Sequence, residues 1–172
     1  MKVNHLNVLI IALSFNSCLN PGYKLEKNND GEPIIDIEAY TLNNKPTLED
    51  FNVIDTASYY IELFDGLDSN EDQRANPTIL KFHKDGFFKN DSYLYFGKFD
   101  KKRHKNSAYY GGKYAIDGNR ITMEAFYPSS GGKTKRFSKV IHKGFIEKGI
   151  ITINFFNTTH KYARRTYSQI FK

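Results

Sequence analysis

Arg165 and Tyr167, near the end of the chain, have the side-chain types and the spacing needed to hold a carboxylate together. Residues two apart on a β-strand point to the same side, so a guanidinium and a phenol there can share one anionic group. The two alternating rows of residues between 162 and 171 are about equally polar, so the sequence leaves open which face of this last strand is interior. This pair is the one candidate ligand-binding site that the sequence offers.

Other residues with catalytic potential lack the necessary spacing or context. The segment Gly131–Thr134 has the Gly-Lys-Thr ending of a phosphate-binding loop, but Tyr127 stands where that motif needs its first glycine. A strand pattern also follows where a phosphate-binding helix must begin. The five histidines are not spaced like metal ligands, and a single cysteine excludes a multi-cysteine metal centre. The sequence therefore predicts a binding protein with no catalytic residue, metal or cofactor.

The first eighteen residues have the pattern of a signal peptide. Lys2 precedes an apolar run of about ten residues, 6–15, which is too short to cross a bilayer. The run leads to Ser17 and Cys18, the only cysteine in the chain, and the helix-breaking residues 20–22 follow. The arrangement resembles a bacterial lipoprotein signal, with a small residue before the cysteine. A buried thiol at the end of a core helix is the alternative, but the break at 20–22 argues against it.

The resemblance to a lipoprotein implies the location and the membrane contact of the protein. Residues 1–17 would be removed as a signal peptide, and Cys18 would become a lipidated N-terminus anchored in the membrane. The protein would then face the periplasm in a bacterial cell envelope. Residues 18–33 are polar and rich in Gly and Pro, which favours a tether that holds the folded domain off the membrane.

Strand patterns dominate the chain from residue 58 onward. Residues 34–57 predict an edge strand over 34–42 and a short helix, because Thr47 precedes an acid by three positions. Three Gly-containing turns, 84–86, 117–119 and 147–149, mark hairpins. The sequence predicts an all-β fold, an antiparallel up-and-down meander of about eight strands that closes into a barrel over 58–172. The predicted strands are 58–63, 79–83, 87–99, 113–116, 121–126, 134–146, 150–156 and 161–171.

The segment Gly111–Ile121 resembles part of the lipocalin-like domains of small bacterial envelope lipoproteins, with a loose Gly-x-Tyr-x-Ile-x-Gly-Asn-x-Ile pattern. The resemblance covers about residues 55–172 and implies a barrel that binds a small ligand. Fatty-acid-binding barrels carry a similar Arg-x-Tyr near their C-terminus. That likeness implies that Arg165 and Tyr167 lie inside the barrel and hold a small apolar or amphiphilic anion.

Charge is divided unevenly along the chain. Residues 19–100 carry a net charge of −8, and residues 101–172 carry +13. The basic residues mostly alternate with apolar ones, as in 133–140, which is typical of a strand with one solvated face rather than of a nucleic-acid-binding arm. A second hypothesis is a monomeric, non-enzymatic module whose basic half docks on an acidic partner, a glycan or a headgroup layer. An open cavity would favour the ligand hypothesis, and a filled barrel would favour docking.

Overall fold

The computed structural model of the protein describes residues 22–64, 71–97, 103–129, 136–155 and 158–171. Strands account for most of the regular structure, and each described helix has three to five residues. The strands are β1 (Tyr23–Lys24), β2 (Glu26–Lys27), β3 (Pro33–Ile34), β4 (Tyr59–Leu63), β5 (Thr78–Phe82), β6 (Phe87–Ser92), β7 (Gly111–Asp117), β8 (Arg120–Pro128), β9 (Arg136–Glu147), β10 (Ile150–Phe155) and β11 (Thr158–Arg165). The helices are Ile37–Ala39, which is a 3₁₀ turn, Asp50–Val53, Glu71–Ala75, Tyr93–Phe96 and Tyr167–Ile170.

Strands β4 to β11 form a closed antiparallel barrel. Each strand pairs with the next one along the chain, and β11 pairs back onto β4 with Tyr162 opposite Glu62. Closure gives every one of these eight strands two neighbours, which removes the exposed edges that an open sheet would present. The predicted all-β fold and the eight-stranded up-and-down barrel are therefore confirmed.

Two glycines allow the barrel to bend where strands approach closely. A Cβ atom on Gly112 would lie 1.9 Å from the carbonyl oxygen of Glu124, and one on Gly144 would lie 2.1 Å from that of Thr152. Both distances are far below van der Waals contact, so only glycine fits at these positions without moving the neighbouring strand. Sharp strand curvature at these two sites helps the sheet to close.

Aromatic side chains fill the interior on one side of the barrel centre. The ring of Phe82 contacts those of Tyr60 and Tyr114 edge to face, with centroids 5.5 and 4.9 Å apart. All three residues are at most 1% exposed. Ile54, which follows the helix Asp50–Val53, is fully buried in the same cluster. The segment before β4 thus closes this end of the barrel with apolar side chains.

Residues 23–42 form a strap over the outer surface of β6 to β9. Strand β1 pairs with the start of β9, and β2 pairs with β3. Tyr23 and Ile35 pack in one apolar cluster with Phe126 of β8. The predicted tether is therefore wrong from Tyr23 onward, because this part of the chain packs on the barrel. The predicted edge strand 34–42 is also wrong, since only Ile34 is in a strand and a 3₁₀ turn follows.

A buried carboxylate fixes the far end of the strap. Glu124 on β8 has no solvent exposure and accepts hydrogen bonds from the backbone N–H groups of Thr41, at 2.8 Å, and Leu42, at 2.9 Å. Lys139 of β9 lies 3.2 Å from the same carboxylate and also donates to the carbonyl oxygen of Ala39. Buried charges are tolerated when they are paired and hydrogen-bonded in this way. Glu124 therefore joins the strap to the barrel wall.

Two helices cover a second part of the outer wall. Residues 93–99 were expected to continue a strand, but Tyr93–Phe96 is a helix, which corrects that prediction. Its Phe96 packs with Ile79 of β5 and with Ile170 of the last helix. The chain turns at this point because the Tyr93 N–H donates to the carbonyl oxygen of Pro77. The outer faces of β4 and β5 are buried as a result.

Candidate functional site

Arg165 and Tyr167 lie outside the barrel, so the predicted interior pair is wrong. Strand β11 ends at Arg165, which is exposed and faces the same way as its register partner Tyr59, opposite to the interior Tyr60. Tyr167 begins the last helix and is 61% exposed. The physical reason is the residue between them: Thr166 forms a capping box with Gln169, which ends the strand and starts a helix. Cys18 lies outside the described residues, so its lipidation stays a prediction.

The interior side chains divide the barrel into an apolar end and a polar end. The apolar end is the one closed by Ile54, and it contains Ile121, Ile146 and Ile151. At the opposite end, the strand registers turn a different set of side chains inward. We call this set the polar cluster, and it consists of Glu62, Tyr127, His142, Phe155 and His160.

A hydrogen-bonded Glu–His pair lies at the rim of the polar cluster. His160 Nδ1 is 2.7 Å from Glu62 Oε1, and the backbone N–H of Thr78 donates to Glu62 Oε2. The hydroxyl of Thr158 lies 3.0 Å from His160 Nε2. The side chain of His160 is 32% exposed and that of Glu62 is 10% exposed, so solvent reaches the pair. The pair can accept or donate hydrogen bonds to a group at this end of the barrel.

His142 lies deeper in the polar cluster, between two aromatic rings. It is 2% exposed, and its ring centroid is 4.3 Å from that of Phe155 and 5.8 Å from that of Tyr127. Burial lowers the pKa of His142 below its ordinary value, and a hydrogen bond with the Asn154 backbone opposes this only in part. Burial also raises the pKa of Tyr127. At neutral pH, therefore, the imidazole is uncharged and the phenol keeps its proton.

The buried His142 predicts a pH dependence of stability. Its folded-state pKa is lower than its unfolded value near 6.5, so the unfolded chain binds the proton first. Its contribution to stability is complete above about pH 6.5 and is lost as the pH falls toward the folded pKa. We expect the free energy of unfolding, measured by urea denaturation, to fall between pH 7 and 5, and the slope to become flatter in His142→Phe. His104→Asn, a change at an exposed histidine, should keep the wild-type slope; an unchanged slope in His142→Phe would contradict the prediction.

A cleft of about 360 Å³ opens beside the polar cluster, where β6 and β7 separate after their short register. Tyr127 belongs to both the cleft and the cluster. Arg103 supplies the positive charge among the residues that line the cleft. It forms ion pairs with the carboxylates of Glu32, at 2.9 Å, and Asp91, at 3.6 Å. The other lining residues include Asn90, Ala108, Tyr109 and Phe126. The cleft thus combines aromatic surface with hydrogen-bonding groups and has no excess of positive charge.

Sequence reasoning missed the polar cluster. One available indication was local, since His160 and Tyr162 are two apart and must share a face of their strand. The partner of His160 is Glu62, which is 98 positions away, and the two meet only because β11 closes the barrel onto β4. The apolar–polar division of the interior therefore depends on closure and on register.

Comparison with protein-family models, with curated proteins and with solved structures gave no match for the chain. Among the described residues, no three His, Cys, Asp or Glu side chains are grouped as a metal ion would require. No described helix is long and apolar enough to cross a bilayer.

Proposed function

We propose that this chain is a lipid-anchored protein of the bacterial cell envelope that binds a small amphiphilic molecule at the polar end of its barrel. The observation that carries the binding part is the asymmetry of the interior. One end is filled with aromatic and aliphatic side chains and closed by Ile54, whereas the other end holds the polar cluster with its Glu–His pair, and Tyr127 of that cluster also lines an open cleft. Buried polar groups cost stability, so their grouping at an accessible end favours a binding role.

The shape of the interior limits where the ligand can lie. Phe82, Tyr60 and Tyr114 occupy the centre of the apolar end, so a ligand cannot extend along the whole barrel axis. The cleft lined by Tyr109 and Tyr127 has a volume in the range of small-molecule sites. The apolar part of the ligand would contact these rings.

The charges of the cleft favour a neutral polar head group. The sequence predicts an anion from Arg165 and Tyr167, but both are exposed outside the barrel and neither lines the cleft. Arg103 is already paired with two carboxylates, so an anionic head group would have to compete with them. A hydroxyl or amide group, in contrast, can donate to Asp91 and accept from Asn90 without displacing a charge. A monoacylglycerol has this combination of a neutral head and one apolar chain.

The binding proposal predicts selectivity that two matched tyrosines can test. A fluorescent monoacylglycerol should bind more tightly than a fluorescent fatty acid of equal chain length. Tyr109→Ala should weaken monoacylglycerol binding by about tenfold, because an aromatic contact in the cleft contributes about 1 kcal/mol or slightly more. Fluorescence titration of the full-length protein measures both effects.

Tyr95→Ala is the control for this titration, because Tyr95 is 46% exposed, compared with 47% for Tyr109, and does not line the cleft. Its affinity should stay within about twofold of wild type. Failure of both probes to bind, or an equal loss in the two variants, would overturn the proposed site.

A further inference from the structure

One face of the barrel wall is left uncovered by every described segment. The strap covers the outside of β6 to β9, and the two helices cover β4 and β5. The outward side chains between these covers belong mainly to β9, β10 and β11. We call them the open face, which consists of Arg120, Thr122, Ile141, Lys143, Phe145, Glu147, Ile150, Thr152, Asn154, Thr159 and Lys161.

The open face combines exposed apolar side chains with positive charge. Ile141 is 49% exposed, Phe145 is 45% exposed and Ile150 is 37% exposed. Lys143 lies between Ile141 and Phe145 on the same side of β9, and Arg120 is the direct cross-strand partner of Phe145. Arg120, Lys143 and Lys161 give three positive charges, and Glu147 is the one carboxylate of the open face, although the exposed Asp117, the register partner of Arg120, lies at its border.

The length of chain before β1 limits where an anchor on Cys18 would hold the barrel. Five residue steps separate Cys18 from Tyr23, which span at most about 18 Å even when fully extended. Tyr23 and Lys24 pair with Phe137 and Arg136 at the start of β9. Strand β8 pairs with β9 at Phe137 along one edge of β9, so β1 must pair along the opposite edge. Further along β9, that opposite edge is paired with β10. The anchor is therefore connected to the edge of β9 that β10, a strand of the open face, occupies further along.

We propose that the open face lies against the anionic phospholipid surface of the membrane in which Cys18 is anchored, and this inference rests on that anchor. Ile141 begins the open face about 17 Å along β9 from Arg136, so the same membrane can reach both the anchor and this face. Lysine and arginine side chains are attracted to anionic headgroups, while Phe145 and Ile150 pack at the boundary with the acyl chains.

The experiment uses residues 18–172 with Cys18→Ser, which lack the apolar run 6–15 of the predicted signal peptide and cannot be acylated, so that neither contributes to vesicle binding. In this background Asn154→Cys supplies one thiol on the open face, and Asn52→Cys supplies one on the helix Asp50–Val53, at the apolar end of the barrel. Each protein is labelled with bimane and mixed with vesicles of brominated phosphatidylglycerol or brominated phosphatidylcholine. We expect quenching of the label at 154 by phosphatidylglycerol, and at most half as much at 52.

Charge and apolar contact should be separable in the same assay. Lys143→Glu changes two charges and should weaken the vesicle binding reported by the label at 154 by about 25-fold, since each charge near an anionic surface contributes about 1 kcal/mol. High salt should remove this effect. Phe145→Ser should weaken binding at every salt concentration. Lys84→Glu, an equal charge change at an exposed turn on another part of the surface, should have less than a threefold effect.

Three results would overturn the proposal. Equal quenching at 154 and 52 would mean that no particular face meets the lipid. Equal losses of vesicle binding in Lys143→Glu and Lys84→Glu would mean that the attraction depends only on the net charge of the protein and not on the open face. A dimer in sedimentation equilibrium that dissociates on Lys143→Glu would assign the open face to a second copy of the chain. Because acylation is absent throughout, none of these outcomes depends on the proposed anchor.

Discussion

Glu124→Gln is expected to lower the free energy of unfolding by about 3 kcal/mol, the lower end of what breaking a buried ion pair costs. The carboxylate is fully buried and accepts from Thr41 and Leu42 while it pairs with Lys139. An amide at this position would present an N–H group to backbone N–H donors and would leave the lysine without its counter-charge. The loss should also release the strap, because these contacts hold its far end. Urea denaturation measures the free energy of unfolding, and faster hydrogen exchange at the Thr41 and Leu42 N–H groups would show that the strap is released.

The matched control is Glu147→Gln at the end of the neighbouring strand β9, where the side chain is exposed. A change there should alter stability by no more than about 0.5 kcal/mol. If Glu124→Gln costs less than about 1 kcal/mol, or if exchange at the strap does not increase, the carboxylate is not what fixes the strap.

The parts of the fold that the sequence predicts well are those determined by local contacts. Gly118 has φ +59° and Gly149 has φ +76°, a backbone region that glycine enters without steric cost, so the two turns can be located from a few residues. The alternating patterns on either side then give the strands. Eight strands in a meander imply closure because an open sheet would expose two edges. Each of these inferences uses residues that are adjacent or nearly adjacent in the chain.

The helix Tyr93–Phe96 shows where local patterns fail. Its four residues are all apolar or aromatic, and such a run is equally compatible with a strand. The structure makes it a helix because Asn76 accepts a hydrogen bond from the Leu94 N–H and because Phe96 packs on Ile79. Asn76 and Ile79 are about seventeen residues away from their partners in the helix, so the pattern of apolar residues within the segment cannot reveal these contacts.

The polar cluster was missed for a related reason. Glu62 is one of several charged residues in an acidic half, and His160 stands in a polar stretch of the basic half. Their hydrogen bond defines the cluster, and it exists only in the register that pairs β11 with β4. The spacing of Arg165 and Tyr167 places them on one face only where a strand continues past both, whereas the strand ends before Thr166, which caps the last helix. Spacing predicts which side a residue faces only as far as the element lasts.

Cys18→Ser is expected to abolish lipid anchoring completely, because the chain has no other thiol that could form the thioether of a lipidated N-terminus. The variant should lose all incorporation of an alkyne-labelled fatty acid. It should also keep its signal peptide or appear in the soluble periplasmic fraction after a high-salt wash. Two or more acyl chains make anchoring effectively stable, at about 0.8 kcal/mol for each buried methylene, so the wild-type protein should stay entirely with the membrane after the same wash.

Ser17→Gly provides the matched control, since it keeps a small residue before the cysteine and leaves the thiol in place. This variant should be acylated and should fractionate as wild type does. A Cys18→Ser protein that incorporates the fatty acid, or that is cleaved after residue 17 and still remains with the membrane after the high-salt wash, would remove the anchor from the proposed function. The barrel would keep its polar end and its cleft, and an association that survived the wash would then have to come from apolar contacts such as those of Phe145 and Ile150, because salt screens the charges on the open face.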